Sequence, residues 1–218
     1  STGTPTIAVL INGRPLSIRW AADNISGIVE AWMCGEQGGY AVADVLFGDH
    51  NPNGKLPITF PRHSGQLPMY YNHVPSKQAN YKDMPATPLY SFGHGLSYTD
   101  FEYSNLQISP SVILPGGEVK VTLDVKNTGE REGKEVVQLY IKDEVSCVTT
   151  PLKQLRGFEK INLEPGEVKS VSFTLKPEDL ALLNRDMKWV VEHGKFNVMV
   201  GSSSSDIRLE GSFNVNGN

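Results

Sequence analysis

The chain has 218 residues, a net charge of −4 at pH 7, 39% apolar residues and 20% charged ones, which is long enough to bury a core of its own. That charge balance argues against nucleic acid as the main partner, because phosphate binding needs a clustered basic surface. No apolar run reaches the roughly 20 residues of a membrane-spanning helix, so a membrane partner is not expected.

The opening Ser1-Thr2-Gly3-Thr4-Pro5 has no initiator Met and reads as a cut inside a longer protein. Residues 1–60 then alternate strand and helix. The continuous apolar run Thr6 to Ile11 suits a strand covered on both faces, and Gly27 to Trp32 predicts a second. Glu36 to Phe47 fits a short helix, with Glu36 in its first turn where the dipole favours an acid and Gly48 as its cap. Leu56 to Phe60 predicts an edge strand, the sheet position that best tolerates Pro57. Two or three short strands cannot cover both faces of a sheet. This α/β partial unit, the end of an α/β sandwich domain, therefore needs strands from upstream or from another chain.

Residues 61–99 carry Pro61, Pro68, Pro75, Pro85 and Pro88 among Tyr70, Tyr71, Tyr81 and Tyr90. A free linker is rich in Gly and Ser and poor in aromatics, so this stretch is expected to be a packed connector. From residue 100 to 218 the period becomes two. Val119, Val121, Leu123 and Val125 alternate with polar residues; Val137, Leu139 and Ile141, then Val171, Phe173 and Leu175, then Phe196, Val198 and Val200, then Phe213 and Val215, repeat the pattern. One short helix is expected over Pro177 to Leu183. Trp189 is expected in the core. About seven strands between regular turns predict an all-β sandwich of immunoglobulin type.

Cys34 and Cys147 fall in different expected domains, so no disulfide is predicted. The histidines (His50, His63, His73, His94 and His193) never stand at i, i+4, and no C-x-x-C pair occurs. Neither a metal nor a cofactor is expected.

Three motifs then name a family. They are Trp32-Met33-Cys34-Gly35-Glu36-Gln37-Gly38-Gly39 running into Ala43-Asp44-Val45-Leu46-Phe47-Gly48, then Asn51-Pro52-Asn53-Gly54-Lys55-Leu56-Pro57-Ile58-Thr59-Phe60-Pro61, then Pro88-Leu89-Tyr90-Ser91-Phe92-Gly93-His94-Gly95-Leu96-Ser97-Tyr98-Thr99-Asp100-Phe101. In that order they resemble glycoside hydrolase family 3, the β-glucosidases and β-xylosidases. Gly133 to Tyr140 and Pro151 to Phe158 resemble the fibronectin type III-like domain that ends many members. The resemblance implies a parent with upstream barrel and α/β domains, hydrolysing β-linked sugars with retention. Both the nucleophile and the acid/base that it implies lie before Ser1, so no residue of this chain inherits a catalytic role.

Other residues invite a catalytic reading, and each has a plainer one. Glu36 reads as a dipole-favouring acid, Asp44 as a local hydrogen-bonding group, and His94 as part of a turn between glycines. Trp32, Tyr70, Tyr71 and Tyr81 read as packing anchors rather than a sugar platform. Binding residues remain unassigned, and so does the compartment, with bacterial cytoplasm, periplasm and secretion all open. Beside the reading as an inert structural tail of a β-glucosidase stand a β-xylosidase parent and a carbohydrate-binding or adhesion module. The half-covered sheet also invites a homo-oligomer.

Overall fold

The computed structural model describes residues 2–76 and 80–217. Ser1, the start of the expected cut, residues 77–79 of the expected connector, and Asn218 lie outside the described residues.

Strands β1 (Ile7–Leu10) and β2 (Gly27–Glu30) pair in parallel, with Ile7 opposite Gly27 and Leu10 opposite Glu30. The crossover holds helix α1 (Arg19–Asn24), six residues that no sequence signal announces. Strand β2 stops at Glu30 rather than Trp32, because Trp32 turns into the left-handed region at φ 51°. Helix α2 (Gly38–Phe47) closes on Gly48 at φ 85°, where a side chain would be strained. Glu36 is not in its first turn: the helix starts at Gly38, and a Gly38 N–H to Gly35 carbonyl bond makes a separate turn around Glu36.

The expected edge strand at Leu56–Phe60 shrinks to a single antiparallel bridge between Phe60 and Tyr90. Pro57 and Pro61 bring no N–H to a ladder. Phe60 donates to Tyr90 and accepts from Leu89, while Leu56 donates to His94 and accepts from Gly93.

The later strands are β3 (Phe101–Ser109), β4 (Val112–Ile113), β5 (Val119–Asn127), β6 (Gly133–Asp143), β7 (Gln154–Leu163) and β8 (Val168–Leu175). After helix α3 (Pro177–Leu180) come β9 (Leu182–Leu183), β10 (Trp189–Val190), β11 (Gly194–Gly201) and β12 (Ile207–Val215). They build a three-stranded sheet, β3-β5-β8, and a five-stranded one, β4-β12-β11-β6-β7. Between them lies the core, which includes Val121, Leu123, Val137, Leu139, Val171, Val198 and Phe213. Each such side chain stabilises the fold by about 1.5–3 kcal/mol through burial. Phe196 and Phe213 stack there at 5.4 Å.

One aromatic expected inside is outside, and a second aromatic of the strands is exposed as well. Trp189 is 74% exposed, because β9 and β10 form a two-stranded hairpin of their own. Phe158 is 68% exposed. Register explains it: Gly157 pairs with inward Leu139, so Phe158 shares the outer face with Gln138. Helix α3 is also shorter than expected, with Pro177 at its start and Asp179 accepting from the Lys176 N–H at 2.9 Å.

That outer face of β6 is covered. Tyr71 stacks on Phe92 at 4.3 Å, meets Tyr140 edge-on at 5.9 Å, and accepts from the Leu155 N–H at 3.2 Å. Strand β6 is therefore buried on both faces from Val137 to Ile141.

Candidate functional site

The residues that a catalytic reading would favour do not converge. Glu36 and Asp44 are exposed, and neither side chain has a hydrogen-bond partner among the described residues. Asp44 was expected to bond locally through its carboxylate; on the exposed side of α2 only its carbonyl does so, accepting from His50. Tyr70 and Tyr81 are exposed rather than packed, while Tyr71 is an anchor. Cys34 and Cys147 are free and exposed. Among the described residues no group of three or more His, Cys, Asp or Glu side chains is placed to hold a metal ion.

What the fold does assemble are three joints. The first begins at the carboxyl ends of β1 and β2, the edge where open α/β sheets hold ligands. There the Glu30 Oε1 accepts from the Trp32 N–H at 3.1 Å. The left-handed turn at Trp32 costs about 1–2 kcal/mol, and this bond helps to hold it. The Trp32 ring meets Phe60 at 5.9 Å, Phe60 meets Tyr90 at 6.3 Å, and Tyr90 stacks on His94 at 5.2 Å. Burial, and then the nearby Lys55 ammonium, hold the His94 imidazole below its ordinary pKa, with Asp206 opposing. His94 is therefore a neutral ring near pH 7, suited to stacking.

The second joint is ionic. Lys55 Nζ lies 3.4 Å from Glu135 Oε1, with the two side chains 13% and 4% exposed. The same ammonium donates to the Gly95 carbonyl at 3.0 Å, and the Tyr103 hydroxyl donates to the same Glu135 oxygen at 3.0 Å. Burial, then the Glu135 charge, push the Tyr103 phenol far above its ordinary pKa, so it stays a donor. Arg208 sits 4.8 Å above the Tyr103 ring, pairs with Asp206 at 3.0 Å, and donates to the Phe101 carbonyl at 2.6 Å.

The third joint is neutral. Gln138 Nε2 donates to the Gly93 and Ser202 carbonyls at 3.2 and 2.5 Å, while its Oε1 accepts from the Tyr140 hydroxyl at 2.6 Å. Ser91 and Ser205 hydroxyls meet at 2.6 Å, and Ser204 N–H donates to the Phe92 carbonyl at 3.0 Å. These joints fix segments to one another. The Glu135 carboxylate is enclosed and already bonded, which suits holding rather than proton transfer.

Sequence reasoning passed over Glu30, Lys55, Glu135, Gln138 and Arg208. For Glu135 a signal existed: it stands in phase with Val137, Leu139 and Ile141, a charge on the core side of a strand. Asp143 keeps the same phase. Its Oδ2 is buried without a partner among the described residues. Burial raises its pKa most, the Val145 N–H opposes, and Glu192 and Glu144 raise it further, to about 6. The folded state thus holds this proton more tightly than the unfolded chain, whose Asp value is 3.8. Stability should fall as pH rises between those two values and level off above them. Asp143→Asn is expected to raise the thermal midpoint at pH 7.5, and the gain should vanish near the unfolded value, as thermal melts at both pH values will show.

Comparison with known proteins places this assembly. Residues 1–98 match the glycosyl hydrolase family 3 C-terminal domain, and residues 135–204 match the fibronectin type III-like domain. A periplasmic beta-glucosidase of Salmonella typhimurium is 46% identical over 99% of this chain, and a beta-xylosidase of Formosa agariphila 48% over 93%. Each alignment covers 29% of the relative, so the chain spans about three-tenths of their length. A solved β-glucosidase from Erythrobacter marinus superposes with a TM-score of 0.93 at 47% identity, covering 97% of this chain and 28% of that one. A β-glucosidase from Listeria innocua, in complex with glucose, gives 0.93 at 36% identity, covering 99% and 31%.

Proposed function

The chain carries the C-terminal domain of glycosyl hydrolase family 3 and belongs to that family's C-terminal region, and from that premise we propose that it is the structural tail of a retaining, exo-acting β-glycosidase. In this reading residues 1–60 complete an α/β sandwich domain, residues 61–99 are a packed connector, and residues 100–218 are the terminal β-sandwich. The substrate class is β-linked glucosides, with β-xylosides as the alternative that a xylosidase relative brings. Retention takes two carboxyl groups about 5–5.5 Å apart across the scissile bond; both would come from the upstream barrel and α/β domains.

One observation carries this reading. In the first 58 residues Ile7, Ile11, Trp20, Met33, Tyr40, Phe47 and Ile58 are all exposed, Phe47 at 84%. A two-stranded parallel sheet with bare apolar flanks is a partial layer, and parallel sheets are found covered on both faces. The upstream polypeptide is the expected cover, and a second copy of the chain is the competing one.

The test is an aryl β-glucoside assay of the chain alone and after mixing with the upstream polypeptide. No turnover alone and turnover on mixing is the expected pair of results. Turnover by the chain alone that survives repurification and is lost in Glu36→Gln or Asp44→Asn would overturn the proposal. Retention of the chain on insoluble glucan would instead favour a binding module. Against that module, the two exposed aromatics among the described sandwich residues, Phe158 and Trp189, sit on strands of different sheets.

A further inference from the structure

Between two anchored points one peptide bond is left loose. Upstream, Asn51 donates to the Glu132 carbonyl at 2.9 Å and accepts from the Tyr98 N–H at 2.8 Å. Downstream, Lys55 donates to the Gly95 carbonyl at 3.0 Å, and the Leu56 N–H donates to His94 at 2.8 Å. The Asn53–Gly54 peptide lies between them. Among the described residues neither the Asn53 carbonyl nor the Gly54 N–H takes part in a hydrogen bond. Gly54 is exposed, and nothing lies within 4 Å of where its side chain would begin.

The Asn53 side chain, by contrast, is held at both polar atoms. Lys160 of β7 donates to its Oδ1. Its Nδ2 donates to the Asn51 carbonyl at 3.2 Å and lies 3.1 Å from His50 Nε2. A cation therefore sits on the oxygen of this amide, and an imidazole beside its nitrogen. The ammonium favours the negative charge that develops on Oδ1 when a nucleophile adds to Cγ. The imidazole stands where a proton must arrive as the nitrogen leaves. The nucleophile is next in the chain: the Gly54 nitrogen, on a peptide free to turn, needs no encounter to reach Cγ.

We propose that Asn53–Gly54 is a self-modifying site, at which the chain loses ammonia and passes through a succinimide. The Gly54 nitrogen bonds to Asn53 Cγ and releases its proton to solvent. The Cγ–Nδ2 bond breaks, and the nitrogen departs as ammonia with a proton delivered through His50. One water then opens the ring at either carbonyl, to aspartate or to isoaspartate. Aspartate keeps the path of the chain and faces the Lys160 ammonium. Isoaspartate adds a methylene to the backbone ahead of Gly54, whose carbonyl abuts Gly95 so closely that a Cβ there would overlap it. The longer backbone pushes the 54–56 segment off the 93–95 turn and loosens the joint between Lys55 and Glu135. Asn12-Gly13 repeats the dipeptide without the cation, since Asn12 Oδ1 accepts from nothing among the described residues. This inference concerns the chain's own residues and does not rest on the proposed glycosidase role.

The test is timed incubation of the purified chain at neutral pH. Peptide mapping by mass spectrometry follows the change from amide to acid, and enzymatic methylation marks isoaspartate. In the folded chain Asn53 should convert before Asn12, and faster than Asn53 does in the chain held unfolded in denaturant. Lys160→Met should slow conversion at Asn53 by about tenfold, less than the loss of a donor in a closed site because this one is exposed. Conversion at Asn12 should not change. Gly54→Ala has room for its methyl group and should all but stop the reaction at Asn53 in a chain that still folds. The isoaspartate fraction should melt below fresh protein, whereas Asn53→Asp should not. Conversion of Asn53 that is no faster folded than unfolded overturns the proposal, as does a Lys160→Met rate equal to that of the wild type. A crosslinked peptide joining residues 53 and 160 overturns it too, since Lys160 would then be the nucleophile.

Discussion

Glu135→Ala should lower the unfolding free energy by about 3 kcal/mol, the lower end of the cost of breaking a buried ion pair from one side. The substitution strands the Lys55 ammonium with one carbonyl, that of Gly95, and leaves the Tyr103 hydroxyl without its acceptor. The lower end applies because the Lys55 side chain keeps 13% exposure and some access to water. Denaturant titration of three variants separates the contributions. Glu135→Gln keeps an acceptor for both donors and should cost less than Glu135→Ala. The double variant Lys55→Met with Glu135→Leu should cost less than Glu135→Ala alone, because it leaves no unpaired charge inside. A cost below about 1 kcal/mol for Glu135→Ala, typical of an exposed pair, would show that the node is wet.

Gly95→Ala should be as damaging or more so, for a reason of space. A Cβ at Gly95 would overlap the Gly54 carbonyl oxygen and come within 3.1 Å of Lys55 Cδ. The obstruction is backbone, so no rotamer change relieves it. The 54–56 segment and the 93–95 turn must part, which breaks the Leu56 N–H to His94 and Gly93 N–H to Leu56 bonds, both 2.8 Å. The Lys55 ammonium also loses the Gly95 carbonyl. About 3 kcal/mol or more is expected from combined strain and unpaired groups. Gly54→Ala is the control, since nothing lies within 4 Å of a Cβ there. Thermal melts of the two variants should differ by several degrees; equal melts would mean that the two segments part at little cost.

These two sites show what the sequence could and could not convey. Period-two alternation announced the sandwich, because core contacts such as those of Val121 or Val198 are written into every second residue of a strand. It failed where a face is covered by something distant in sequence. Gln138 and Tyr140 look solvent-facing by phase, and they are buried because Phe92 and Tyr71 lie over them. Trp189 failed in the opposite sense: an apolar residue beside two valines reads as core, but its short hairpin stands outside the two main sheets. Helix α1 has no capping side chain and no acid in its first turn, so nothing local marked it. Family motifs pointed to the right stretches, Asn51 to Pro57 and Pro88 to Tyr98, without saying that they meet. The ion pair between Lys55 and Glu135 spans segments that only the tertiary fold brings together.

The double cover of β6 has a consequence for anyone cutting or grafting this region. A gene junction drawn at residue 100, where the strands begin, would strip Tyr71, Phe92 and the Gly93 carbonyl from a surface made to receive them. The recipient would inherit a naked glutamine and tyrosine in the middle of its widest sheet, with a sticky, poorly soluble product as the expected outcome. Swaps that carry residues 61–99 along with the sandwich should travel far better, so the portable unit is longer than the strand count suggests.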